Sequence, residues 1–169
     1  MQKLYLDCDG VILDTINKSY QMLKEEGITT EEERKIFYSN INWERLIIDS
    51  GQINNSIDKI KELTKYFDVE ILTHVYTENE GQAKINYFKK ELPNINIITV
   101  PKTVKKADFV DPTNAILVDD YTSNLDYWQE KGGIPVKFSD SRKESNYPVI
   151  TDLLELISLF TKNKIKVKE

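Results

Sequence analysis

The stretch Lys3-Leu4-Tyr5-Leu6-Asp7-Cys8-Asp9-Gly10-Val11-Ile12 runs from a short apolar segment straight into two carboxylates spaced i, i+2, and then into a glycine. The apolar segment, residues 3–6, reads as a strand, so the two acids stand at its carboxyl end. Such a pair can converge where the backbone leaves a sheet, and a glycine at position 10 gives that exit its freedom. One carboxylate can then ligate a hard cation and attack phosphorus, while the other protonates a leaving group. The plainer alternative is a turn carrying two solvated acids. The rest of the chain decides between them.

Four more segments read as strands that end in or near polar residues: 69–72, 96–100, 115–118 and 135–138. Most are continuous runs of Val, Ile, Leu and aromatics, as expected of parallel strands buried on both faces. Between them lie helical patterns over 56–67, 80–92, 124–131 and 149–160, with Pro93 and Gly132-Gly133 as stops. Alternating strands and helices predict an α/β doubly wound parallel sheet, in the order 3-2-1-4-5. The stretch between the first two strands is too long for one crossover. It carries Tyr20, Met22 and Leu23, then Ile36, Phe37 and Tyr38, then Trp43, Leu46, Ile47 and Ile48. We read residues 15–53 as a small inserted helical cap, and residues 1–14 with 54–169 as a Rossmann-like hydrolase core. The Lys-rich tail, 162–169, reads as a solvated end.

A second acidic pair, Asp119-Asp120, closes the run Ala115-Ile116-Leu117-Val118. Two adjacent acids ending a buried strand repel one another and resist desolvation unless a cation or donors compensate. In the order 3-2-1-4-5 the first and fourth strands are neighbours, which gathers Asp7, Asp9, Asp119 and Asp120 at one point beyond the strand ends. Four carboxylates without a histidine ligand favour Mg²⁺ over zinc. Thr73, at the end of the second strand, offers a hydroxyl for a phosphate oxygen, with His74 beside it. One of Lys102, Lys105 and Lys106, after the third strand, can neutralise a phosphoryl group; the others read as solvated.

These motifs, in this order, resemble those of the haloacid-dehalogenase-like hydrolases across nearly the whole chain. Asp7-x-Asp9-Gly10-Val11 resembles the first motif, Leu72-Thr73 the second, the lysines the third, and Val118-Asp119-Asp120 the fourth. Within the superfamily the chain looks closest to the 5'(3')-deoxyribonucleotidase-like group. That likeness rests on the first motif with an early helical cap, and on Val118-Asp119-Asp120-Tyr121-Thr122-x-Asn124-Leu125-x-x-Trp128 followed by Gly132-Gly133. The resemblance implies a Mg²⁺-dependent phosphatase in which Asp7 becomes an aspartyl-phosphate. Asp9 would act as general acid and then base, and would offer its backbone carbonyl to the cation. Asp7 and Asp119 would be side-chain ligands, with Asp120 next to them. Thr73 and the N–H of His74 would hold phosphoryl oxygens, together with Lys106 or, as second choice, Lys102. Asn124 would lie near the phosphate loop. Tyr20, Phe37, Tyr38 and Trp43 are either cap core or a stack for a nucleobase; Trp128 reads as core.

The 169 residues carry a formal net charge of −5, 40% hydrophobic and 30% charged side chains, and one cysteine. An acidic chain is a poor binder of nucleic-acid polymers, whereas a small phosphorylated substrate suits it if a cation supplies positive charge. One cysteine, Cys8, excludes an internal disulfide and a multi-cysteine zinc site, and it reads as packed rather than reactive. The apolar run before Asp7 is too short for a signal-peptide core, and no stretch approaches the roughly 20 apolar residues of a membrane span. We therefore expect a cytoplasmic phosphatase with no membrane or nucleic-acid partner. Two rival readings are a receiver-type phosphoacceptor domain and an idle phosphate-binding relative. Receivers place the adjacent acidic pair after the first strand, whereas here it comes last.

Overall fold

A computed structural model describes residues 1–161; the expectation of a solvated tail over 162–169 lies outside the described residues. β1 (Gln2–Leu6), β2 (Phe67–Val75), β3 (Asn96–Pro101), β4 (Ile116–Asp119), β5 (Ile134–Phe138) and β6 (Val149–Ile150) form one sheet in the order β3-β2-β1-β4-β5-β6. Every pairing is parallel. The expected order 3-2-1-4-5 is present, with a sixth strand added at the edge beside β5.

Side chains alternate across each strand, so each strand feeds two helical layers. Leu4 and Leu6 of β1 join Ile57, Ile60 and Leu63 of α4 (Ser56–Leu63), Phe88 of α5 (Glu78–Glu91) and Leu156 of α8 (Glu155–Thr161). Tyr5 points the other way. It meets Leu117, Leu125 and Trp128, the last two from α7 (Thr122–Glu130), and Ala107 of the one-turn α6 (Lys106–Phe109). Trp128 anchors this second layer: it is fully buried, sits edge-on to Tyr5 at 5.5 Å, and its indole N–H donates to the Ala115 carbonyl at 2.9 Å. Gly133 passes so close that a Cβ there would overlap the indole ring. The glycine pair read as a helix stop is therefore also a packing requirement.

The insertion between β1 and α4 contains α1 (Thr15–Glu25), α2 (Glu31–Asn40) and α3 (Trp43–Ser50). Thr30 and Glu33 form a reciprocal capping box at the start of α2, and Asn42 caps α3 through the Arg45 N–H. The chain leaves and returns at neighbouring points. Asp14 N–H donates to the Gly51 carbonyl at 3.1 Å, Ile53 N–H to Ile12 at 2.9 Å, and Leu13 bridges Gln52.

The second strand, expected over 69–72, runs Phe67–Val75 and so includes Thr73, and two helix boundaries also differ from expectation. The helix expected over 149–160 is instead β6 followed by α8 from Glu155. Val149, Ile150, Leu153 and Leu154 fit a helical spacing, but the β-branched pair finds ladder partners in Lys137 and Phe138. Asp152 and Glu155 then take the Leu154 and Thr151 N–H groups at the turn. The helix expected to reach Phe67 ends at Leu63, because Phe67 pairs with Gln2 as the first residue of β2. No helix among the described residues is long and apolar enough to cross a membrane.

Trp128→Ala removes a filled core volume and the indole's hydrogen bond to the Ala115 carbonyl, which keeps only the Ile134 N–H at 2.8 Å. We expect it to destabilise the fold by about 3–5 kcal/mol in urea denaturation, where Phe109→Ala, at an exposed aromatic, shifts the midpoint little.

Candidate active site

β1 and β4 are adjacent and in register, and the Asp7 N–H donates to the Val118 carbonyl at 3.0 Å. Their ends therefore deliver Asp7 and Asp119 to the same place. Lys106, from the first turn of α6, is 3% exposed and reaches both: its Nζ lies 2.8 Å from Asp7 Oδ1 and 2.8 Å from Asp119 Oδ2. Asp119 also accepts from Asn124 Nδ2 at 3.0 Å and from the Tyr121 N–H at 2.9 Å. Asp7, Asp119 and Asp120 each offer an oxygen within 4.8 Å of the others. Gly10 has φ +79° and lies against the Asp120 carboxylate, where a Cβ would overlap it.

The electrostatics follow from burial. Desolvation, then the charge of Asp119, pushes Asp7 well above the ordinary carboxylate range, against the pull of Lys106. The same two causes push Asp120 up to about 7. Burial works against the Lys106 ammonium, but Asp119 and Asp7 outweigh it and raise its pKa. Three crowded carboxylates thus share one buried ammonium. A divalent cation fits this donor set: it is all oxygen, short of positive charge, and suited to Mg²⁺ rather than a softer metal.

Asp9 is placed differently. Its carboxylate lies outside the triad, accepting from Thr15 Oγ1 at 2.5 Å and from Lys84 Nζ at 2.6 Å. Burial opposes its ionisation, but Lys84 and Thr15 outweigh that and hold its pKa below the ordinary value. Thr73 is wholly buried in the last rungs of the β2 ladder, two residues before the strand ends at Val75, and lies 3.2 Å from Lys84 Nζ. The half-buried His74 meets the Val104 carbonyl through Nε2 at 2.8 Å. Burial lowers the pKa of its imidazole, helped by the charges of Lys106 and Lys102 and opposed by the Val104 carbonyl. Lys106 is the lysine that meets the carboxylates. Lys102 stands at the rim, its Nζ 5.4 Å from the Tyr76 ring centre, and Lys105 lies over Tyr127. Cys8 is buried with its thiol pushed well up by desolvation, in keeping with a packed residue.

Lys84 and Glu80 were not read as site residues. Both belong to α5 and both are buried, and burial pushes Glu80 up to about 7 against the pull of Lys84. A faint signal was present: Glu80, Lys84 and Phe88 follow one another at four-residue spacing, which puts two charges in line with a core residue.

Above these groups opens a cleft of about 510 Å³. Its floor includes Asp7, Asp9, His74 and Asp120, and the inserted helices contribute Thr15, Tyr20, Tyr38 and Trp43 to its wall. Tyr38 stacks on Tyr76 at 5.1 Å and on Trp43 at 5.8 Å. Of the four inserted aromatics, Phe37 and Trp43 are both buried, Phe37 edge-on to Tyr38 and Trp43 within the main core.

No protein-family model and no curated protein matches the chain. Solved structures do. A haloacid dehalogenase-like hydrolase from Streptococcus pneumoniae superposes with TM-score 0.62 at 15% identity, over 95% of this chain and 99% of that one. A dehalogenase gives TM-score 0.62 at 14% identity, over 96% and 98% of the two chains. A D,D-heptose 1,7-bisphosphate phosphatase from B. bronchiseptica, solved with magnesium and phosphate, gives 0.60 at 12% identity, over 96% and 99%. At these identities the likeness speaks to architecture: the chain has the Rossmann-like α/β fold of the haloacid-dehalogenase-like hydrolases.

Proposed function

We propose that this chain is a Mg²⁺-dependent phosphomonoester hydrolase working through an aspartyl-phosphate on Asp7. One observation carries the reading: a strand-end carboxylate on the floor of a cleft, paired with a buried lysine and flanked by two more carboxylates. Asp7 and Asp119, with Asp120 beside them and the Asp9 carbonyl, would hold the Mg²⁺. When bound, the cation neutralises these carboxylates and the charge that develops on the phosphoryl oxygens.

In the first step an Asp7 oxygen attacks phosphorus, the bond to the ester oxygen breaks, and Asp9 gives that oxygen a proton. In the second, water attacks the same phosphorus, Asp9 takes its proton, and the bond to Asp7 breaks to release phosphate. Lys106 meets the phosphoryl oxygens. Thr73 accepts from Lys84, so its O–H is left to join Lys106 by swinging from the His74 carbonyl to a phosphoryl oxygen. The neighbours include a dehalogenase, but a departing halide needs no proton and no cation triad, so Asp9 and Asp120 favour the phosphoester.

The inserted helices 15–53 serve as a cap over the sheet's carboxyl edge. The stacked Tyr38 and Tyr76, with the exposed Tyr20 at the rim, support a planar leaving group such as a nucleoside. Sugar phosphates are the competing class.

Asp7→Asn keeps the shape and removes the nucleophile. Phosphate release in the presence of Mg²⁺ should fall by on the order of 10³-fold or more, with the circular dichroism spectrum retained. Wild-type turnover that survives chelation of Mg²⁺ would sink the mechanism. Tyr76→Ala should raise KM for a nucleoside monophosphate about fivefold and leave kcat nearly unchanged. An equal rise for an aliphatic phosphate ester would show that Tyr76 does not read a base.

A further inference from the structure

Asp9 stands two residues after Asp7, yet its carboxylate is not part of the cluster formed by Asp7, Asp119 and Asp120. Both of its oxygens are occupied: Oδ1 by the Thr15 hydroxyl and Oδ2 by the Lys84 ammonium. Lys84 is 1% exposed and comes from α5, on the far side of β2 from α6 and Lys106. Its ammonium has four acceptors within 3.4 Å: Asp9, Thr73 Oγ1, the His74 carbonyl and Glu80 Oε2. Glu80 is itself tied to the β2–α5 turn by the Tyr76 N–H at 3.2 Å. A lysine fixed from so many sides cannot follow a partner, so the partner is fixed by it.

A fourth free carboxylate beside the triad would be drawn to any cation there, and an acid that ligates a metal is lost for proton transfer. We propose that Lys84 is a positioning residue that holds the Asp9 carboxylate outside the acidic triad, leaving the triad to the cation and Asp9 to the proton transfers. The role in proton transfer rests on the hydrolase reading above; the exclusion from the triad concerns cation binding alone.

Calorimetric titration and steady-state kinetics separate the halves. Mg²⁺ alone is titrated into the wild-type chain, Lys84→Met, Asp9→Asn and the double variant. With Lys84 present, Asp9→Asn removes a nearby charge but no ligand. Without it, Asp9 joins the triad, and Asp9→Asn should then weaken Mg²⁺ binding by about tenfold more than in the wild-type background. An equal loss in both backgrounds, or no Mg²⁺ binding to the wild-type chain, would overturn the assignment. If Lys84→Met does not unfold cooperatively, Thr15→Ala, which frees the other Asp9 oxygen, takes its place with the same direction expected and the same result fatal.

On an ester that the wild type turns over, Lys84→Met should lower kcat at little-changed KM, and Lys84→Arg should recover part of it. A rise in KM at unchanged kcat would make Lys84 a substrate ligand instead and overturn its positioning role. Failure of the hydrolase reading has its own signature, a wild type that binds Mg²⁺ with the expected coupling but hydrolyses no ester.

Discussion

One buried ammonium standing between two buried carboxylates sets the terms for this molecule. Asp7 and Asp119 are delivered together by the parallel pairing of β1 and β4, and nothing in a hydrophobic sheet would tolerate them unpaired. Lys106 is the counter-charge, and local structure after β3 serves to place it. The Val104 carbonyl is pinned by His74, and α6 is a single turn that begins at the lysine itself. Because one ammonium cannot balance three carboxylates, the site retains an appetite for positive charge that a divalent ion satisfies better than any side chain.

The arrangement also divides the acids by partner. Asp7 and Asp119 share Lys106, while Asp9 is claimed by Lys84 and Thr15. Two acids two residues apart thus acquire opposite tendencies: desolvation and like charge raise Asp7, whereas the salt bridge lowers Asp9.

The sheet was legible because its parallel strands are continuous apolar runs that end abruptly in charge, as at Leu6-Asp7 and Val118-Asp119. Asp7, Asp119 and Asp120 were legible for the same reason, since no structural role explains acids at those ends. What escaped reading depends on partners far away in the chain. The two residues of β6 become a strand only because Lys137 and Phe138 lie alongside. The importance of Lys84 comes from Asp9, 75 positions earlier, and its own helix is otherwise an ordinary polar pattern. Among the lysines after β3, sequence could narrow the choice to two; the direction in which α6 sends Lys106 decided which meets the carboxylates. Thr73 was expected just past a strand ending at Leu72, but the ladder with β3 carries β2 on to Val75 and leaves Thr73 inside it, buried under Lys84.

The narrow neck at Leu13–Asp14 and Gly51–Ile53 has a consequence for how such a protein can diversify. The excursion is tied off by backbone bonds before it begins and after it ends, and beyond this neck it meets the core through Trp43, Leu46 and Ile47 and the site through Thr15. Closing a longer excursion at the same neck costs little, about 0.6 kcal/mol for each doubling of its length. Between those anchors, as at the exposed connection around Gly27 from α1 to α2, the segment is therefore free to be lengthened or shortened while the carboxylates below it keep their positions.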